Sequence, residues 1–131
     1  MAKILVIDDD SEIRRVIRRE LEHHGHEVTE ADDGASGVRV YRERPADLVI
    51  TDIIMPEKDG LELMIELRRQ YPDLKFIAIS GGGRHALLDF LPAAERLGAT
   101  RCVKKPISAV EFIDIVHEVL AGEPPAPFPA S

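Results

Sequence analysis

Short apolar runs rich in β-branched residues recur along this chain, with longer amphipathic stretches between them, and that alternation limits the fold more than any other feature. Ile4-Leu5-Val6-Ile7 is continuously apolar, as in a strand covered on both faces. Leu48-Val49-Ile50 and Phe76-Ile77-Ala78-Ile79 have the same character. Val28 to Ala31 and Arg101 to Val103 are weaker strands, expected nearer the sheet edges. Five β-α units in succession predict a parallel sheet with right-handed crossovers and helices on both faces.

The intervening helices carry end signals. Ser11 is placed to cap the first, whose Ile13, Val16, Ile17 and Leu21 form one apolar stripe, and Gly25 ends it. The second, over about 35–44, contains Gly37, at a cost of about 1 kcal/mol against Ala. The third opens with Asp59 and carries Glu62 three residues on, a capping-box spacing. The fifth repeats the device with Ser108 and Glu111, followed by Phe112, Ile113, Val116 and Leu120. The fourth, within 85–97, holds Pro92 and so starts late or is kinked. Beyond Ala121 a proline-rich run, Pro124-Pro125-Ala126-Pro127, predicts an extended, mobile tail over 122–131 after a single domain at 1–121.

Charge and composition narrow the function. A net charge of −7 argues against direct DNA binding. No apolar run approaches the ~20 residues of a membrane span, and the start of the chain runs straight into a strand without a signal peptide. One cysteine excludes an internal disulfide and fits a reducing cytoplasm.

Chemistry-bearing residues sit where four strands end: Asp8-Asp9-Asp10, Asp52, Ser80 before Gly81-Gly82-Gly83, and Lys104-Lys105-Pro106. In a parallel sheet these converge on one edge, where such folds place their working sites. Clustered carboxylates repel unless a cation sits among them, and oxygen ligands without His or Cys favour Mg²⁺. A hydroxyl and an ammonium opposite them suit the oxygens of a phosphoryl group. Asp52, at the centre, is then the natural nucleophile for an aspartyl phosphate.

Val6-Ile7-Asp8-Asp9, Thr51-Asp52-Ile53-Ile54-Met55-Pro56 with Asp59-Gly60, Ser80, and Lys105-Pro106 resemble the response regulator receiver family in order and spacing, over about 3–120. The resemblance implies a doubly wound (βα)5 three-layer sandwich of the flavodoxin-like kind, with a five-stranded sheet of order 2-1-3-4-5. It implies that Asp52 accepts the phosphoryl group and that Asp9, Asp52 and the backbone carbonyl of Ile54 ligate Mg²⁺. It implies that Asp8 holds the metal through water, that Ser80 swings toward the phosphoryl group, that Lys105 pairs with that group, and that the Lys105–Pro106 peptide bond is cis. The implied activity is that of a stand-alone phosphoacceptor that catalyses its own phosphorylation and slow dephosphorylation, not a classical enzyme. A phosphorelay intermediate or phosphate sink is the alternative. The implied partners are a sensor histidine kinase or histidine phosphotransfer protein, a downstream protein target, and a second copy through the face of the fourth helix, fifth strand and fifth helix.

The sequence departs from the family at three places. Cys102 stands where the fifth strand usually carries an aromatic switch, Lys58 replaces a common apolar residue, and the stretch from Ser80 to Lys105 is longer than usual. Several features have ordinary readings. Asp10 reads as helix-start charge, Gly81-Gly82-Gly83 as a flexible loop rather than a phosphate cradle, and Cys102 as a small buried hydrophobe. His23, His24 and His26 read as solvent-facing complements to a helix dipole rather than a metal tract. Arg14, Arg15, Arg18 and Arg19 form either a solvated face or a kinase-docking face. Three rivals are weaker, one of them a degenerate, unphosphorylated receiver used as a scaffold, against which the complete residue set argues. A haloacid-dehalogenase phosphatase needs a second Asp where Ile54 stands, and in a flavin-binding module Asp8-Asp9-Asp10 would repel the phosphate.

Overall fold

The computed structural model describes residues 2–52, 60–80, 101–104 and 108–122. The elements are β1 (Lys3–Ile7), α1 (Ser11–His23), β2 (Glu27–Ala31), α2 (Gly34–Glu43), β3 (Leu48–Asp52), α3 (Gly60–Gln70), β4 (Lys75–Ser80), β5 (Arg101–Lys104) and α4 (Ala109–Leu120). Here α4 is the fifth helix of the sequence reading. The fourth predicted helix, and with it part of the expected dimer face, lies outside the described residues, as does the proline-rich tail from 123 onward.

The strands form one parallel sheet of order β2-β1-β3-β4-β5, with the two weaker strands at its edges, as expected. Strand pleating sends alternate residues to opposite faces, and two separate cores result. Leu5, Ile7, Val49, Phe76 and Ala78 pack with Val38 and Tyr41 of α2 and with Leu63, Met64 and Leu67 of α3. Ile4, Val6, Leu48, Ile50, Ile77 and Ile79 pack on the other face with Ile17 and Leu21 of α1 and with Phe112, Ile113, Val116 and Val119 of α4. Every residue of β3 is buried, so this innermost strand has both faces covered. No helix among the described residues is long and apolar enough to cross a membrane.

Local chemistry sets the helix ends, not always by the residues first expected. Asp10, rather than Ser11, caps α1: its Oδ1 accepts the N–H groups of Glu12 (2.9 Å) and Ile13 (3.4 Å). Asp10 is the last residue with extended backbone, so its carboxylate reaches the free amides that Ser11, already inside the first turn, cannot. Ser108 does occupy the cap position of α4, but its exposed side chain makes no capping hydrogen bond. The third helix begins at Gly60, and Asp59 lies outside the described residues.

The apolar stripe of α1 is narrower than predicted. Ile17 and Leu21 are buried and Ile13 half-buried, whereas Val16 is 63% exposed, because it precedes Ile17 by one residue and so points about 100° away. The glycine inside α2 has a steric reason. A Cβ on Gly37 would lie 2.6 Å from Ile7 Cδ1 and 3.3 Å from Leu63 Cδ1, so only glycine lets α2 approach the sheet this closely.

Candidate functional site

The register of the two central strands builds the site. Ile7 of β1 pairs with Thr51 of β3, so the residues that follow, Asp8 just past β1 and Asp52 at the last position of β3, lie side by side at the sheet edge. Carboxylate oxygens of Asp8, Asp9 and Asp52 all lie within 4.8 Å of one another. Asp8 is fully buried and Asp52 is 5% exposed, while Asp9 is open to solvent. The sheet therefore holds two of the carboxylates out of water, where their mutual repulsion is strongest.

Several bonds fix this loop. Asp8 N–H extends the sheet ladder to Ala31 O (3.2 Å), and Asp8 Oδ1 accepts the Asp10 N–H (2.9 Å). Asp10 in turn caps α1, so one short turn joins the acidic cluster to a helix start. On β3, Thr51 Oγ1 donates to Asp52 O (2.9 Å), which holds the peptide next to Asp52.

Arg14, read from the sequence only as part of an arginine-rich helix face, contributes to the site. Arg14 Nη1 donates to the carbonyl of Asp8 (2.6 Å), and its Nε pairs with Glu30 Oε1 (3.1 Å). Arg18 binds the other oxygen of Glu30 (2.6 Å) and pairs with Glu22 (3.3 Å). Burial alone would push the Glu30 carboxyl up, but the hydrogen bonds from Arg18 and Arg14 together hold it below its ordinary value. Two of the four arginines are thus internal ties, and Arg15 and Arg19 remain exposed on α1. Nothing local in the sequence pairs Arg14 with Asp8 or Glu30, because the contact depends on how α1 crosses β2.

The other candidate residues divide. Ser80 ends β4, whose preceding residue Ile79 pairs with Asp52, so its backbone belongs to the same sheet edge. Lys105 and Ile54 lie outside the described residues, as do Lys58 and Gly81-Gly82-Gly83. Cys102 pairs in register with Ala78 and packs against the α2–α3 core, but it is half-buried rather than buried because β5 is an edge strand. His23 and His24 face solvent, as read from the sequence, whereas His26 is half-buried and meets His117.

Comparison with known proteins accords with this geometry. The model of the family described as "Response regulator receiver domain" matches residues 4–117. The DNA-binding transcriptional regulator NtrC of Azospirillum brasilense is 37% identical over 98% of this chain, which spans only 26% of that protein. The response regulator receiver protein CpdR of Brucella abortus is 34% identical, over 92% of this chain and 98% of its own length. The crystal structure of the receiver domain of NtrX from Brucella abortus superposes with a TM-score of 0.83 at 33% identity, covering 90% of this chain and 98% of that one. Receiver domains are phosphoacceptors of two-component systems rather than classical enzymes. With its sheet order, its acidic edge and its match across 4–117, this chain belongs to the response regulator receiver domain family.

Proposed function

We propose that Asp52 accepts a phosphoryl group from a histidine kinase or a histidine phosphotransfer protein, and that the modified chain changes its affinity for a protein target. The convergence of Asp8, Asp9 and Asp52 within 4.8 Å at the end of the central strand carries this reading. A carboxylate oxygen of Asp52 attacks phosphorus in line, the donor's N–P bond breaks, and the leaving imidazole takes up a proton.

The donor set, three carboxylates with two of them buried, fits a hard divalent cation such as Mg²⁺. Asp9 and Asp52 would hold it directly, with the Ile54 carbonyl, and Asp8 through water. When bound, it neutralises charge on the phosphoryl oxygens. Asp8 keeps its orientation through the Asp10 amide and the Arg14 guanidinium. Ser80 and Lys105 complete the proposal as hydroxyl and ammonium partners of the phosphoryl oxygens.

The match to CpdR along nearly its whole length supports the receiver itself as the working unit, signalling through protein contacts in the cytoplasm. Intact-mass measurement after incubation with acetyl phosphate tests the chemistry. Wild type should gain one phosphoryl group only with Mg²⁺, and Asp52→Ala should gain none. Equal incorporation by the two proteins would overturn the assignment.

A further inference from the structure

A second cluster of ligand-type side chains lies at the opposite edge of the sheet, where strands begin. The turn after α1 is a Schellman motif: Gly25, at φ 86°, donates its N–H to Glu22 O (3.0 Å), and His26 donates its N–H to Leu21 O (3.1 Å). That turn fixes His24 and His26 on either side of the glycine. The last turn of α4 brings His117 beside them, although 91 positions separate it from His26.

The spacing of one pair, His26 and His117, is that of two ligands on a single metal ion. His26 Nε2 lies 3.1 Å from His117 Nε2. The ring centroids are 5.3 Å apart for His26 and His117, and 5.9 Å for His24 and His117. Imidazole nitrogens bound to one tetrahedral Zn²⁺ lie ~3.3 Å apart, with ring centroids roughly 5 Å apart. The three rings border a surface cavity of about 790 Å³ that Asp47 and Asp73 also line.

Hydrogen bonds set the tautomers. His24 Nδ1 lies 3.0 Å from the Glu20 carbonyl, which can only accept, so Nδ1 carries the proton and Nε2 keeps its lone pair. Ala2 N–H donates to His26 Nδ1 (3.2 Å), so His26 carries its proton on Nε2 and donates it to the Nε2 lone pair of His117.

We propose that His26 and His117, with His24 as the third ligand, bind a borderline divalent d-block cation of the Zn²⁺ type. Neutral imidazoles suit such an ion and do not suit Mg²⁺, so the two ends of the sheet select different metals. Binding takes the lone pair of His117 directly. At His26 the Nε2 proton is given up and Nδ1 is reprotonated from solvent, so no net proton is released. The Ala2 amide then loses its acceptor, and because this contact is only part-buried, water can replace it. His24 does not reach the other two as placed; it is exposed, so its ring can turn toward the ion, exchanging the Glu20 carbonyl contact for water. A bound ion would tie the α1–β2 turn to the end of α4.

Calorimetric titration of the untagged full chain with Zn²⁺, in millimolar Mg²⁺, tests the proposal. Wild type should bind one equivalent, and Co²⁺ in its place should give the visible absorption of a tetrahedral site. His117→Ala, and separately His26→Gln, should weaken Zn²⁺ binding at least roughly tenfold. Asp9→Asn and Cys102→Ser should bind as wild type does, with circular dichroism confirming that each variant is folded. No Zn²⁺ binding by wild type, equal binding by His117→Ala, or loss of binding in Asp9→Asn or Cys102→Ser would each overturn it.

Discussion

The two ends of the sheet gather ligand-type side chains in opposite ways. At the carboxyl ends of β1 and β3, Asp8 and Asp52 are buried and like-charged, and the ladder itself delivers them. At the amino ends, the histidines come from a helix-ending turn and from the end of a helix far along the chain; His24 and His117 are exposed and His26 is half-buried. The first arrangement gathers carboxylates where a cation would be held strongly. The second gathers neutral rings, which can hydrogen-bond to one another. A buried charged cluster should therefore govern stability, and an exposed neutral one should not.

The largest effect should come from relieving the repulsion among these carboxylates. Asp52→Asn should stabilise the metal-free protein by on the order of 1–2 kcal/mol, or roughly 3–8 °C in melting temperature. Mg²⁺ at a hundred times its dissociation constant should stabilise wild type by about 2.7 kcal/mol, and Asp52→Asn by much less. His117→Ala should alter neither value. Thermal melts with and without Mg²⁺ check this, and a wild-type melt indifferent to Mg²⁺ would erase the contrast between the two ends.

A smaller effect belongs to the ion pairs behind the acidic loop. The folded Glu30 carboxyl lies below its ordinary 4.5, because the Arg18 and Arg14 hydrogen bonds outweigh its burial. Its contribution is thus complete above the unfolded value and is lost as pH falls through the folded one. Such partly exposed pairs are worth up to about 1 kcal/mol. Glu30→Gln should cost that much at pH 7 and progressively less as pH falls below the ordinary value of 4.5, as read by denaturant unfolding across an acidic pH series.

The smallest effect should be at Cys102. A thiol half-buried on an edge strand is too small to exchange an inward for an outward position with much change of surface, as an aromatic ring would. Cys102→Ala should leave phosphoryl lifetime nearly unchanged, whereas Gly82→Val in the longer glycine-containing stretch should alter it. Hydrogen exchange with and without beryllofluoride should show its main change between 80 and 97. Changes confined to β5 and α4 would reverse this ranking.

What could be read in the sequence follows from the same contrast. Asp8, Asp9 and Asp52 were legible because a parallel sheet sends the ends of its strands to one edge, so a one-dimensional pattern fixes a three-dimensional neighbourhood. The edge positions of β2 and β5 were legible in their weaker apolar runs, whereas the strand order was what the family resemblance implied. Arg14 was not legible, since its reach to Asp8 and Glu30 depends on a helix crossing. Nor was the partnership of His26 with His117, which brings together residues from distant turns. The cap of α1 was misplaced by one residue because Asp10 and Ser11 are both good cap residues, and only the backbone decides between them. Val16 was misassigned because an apolar residue at a stripe's margin can face either way.

The contact between Gly37 and Ile7 carries a consequence for how this sequence can change over generations. Any side chain at position 37 meets Ile7 Cδ1 first and Leu63 Cδ1 next. Growth at 37 is therefore tolerated only after position 7 has shrunk, and the reverse order passes through a strained intermediate costing about 1–3 kcal/mol. The two positions form a ratchet in which the order of substitutions matters as much as their identity. Because Ile7 immediately precedes Asp8, lineages that relaxed it would also loosen the strand end from which the acidic cluster springs.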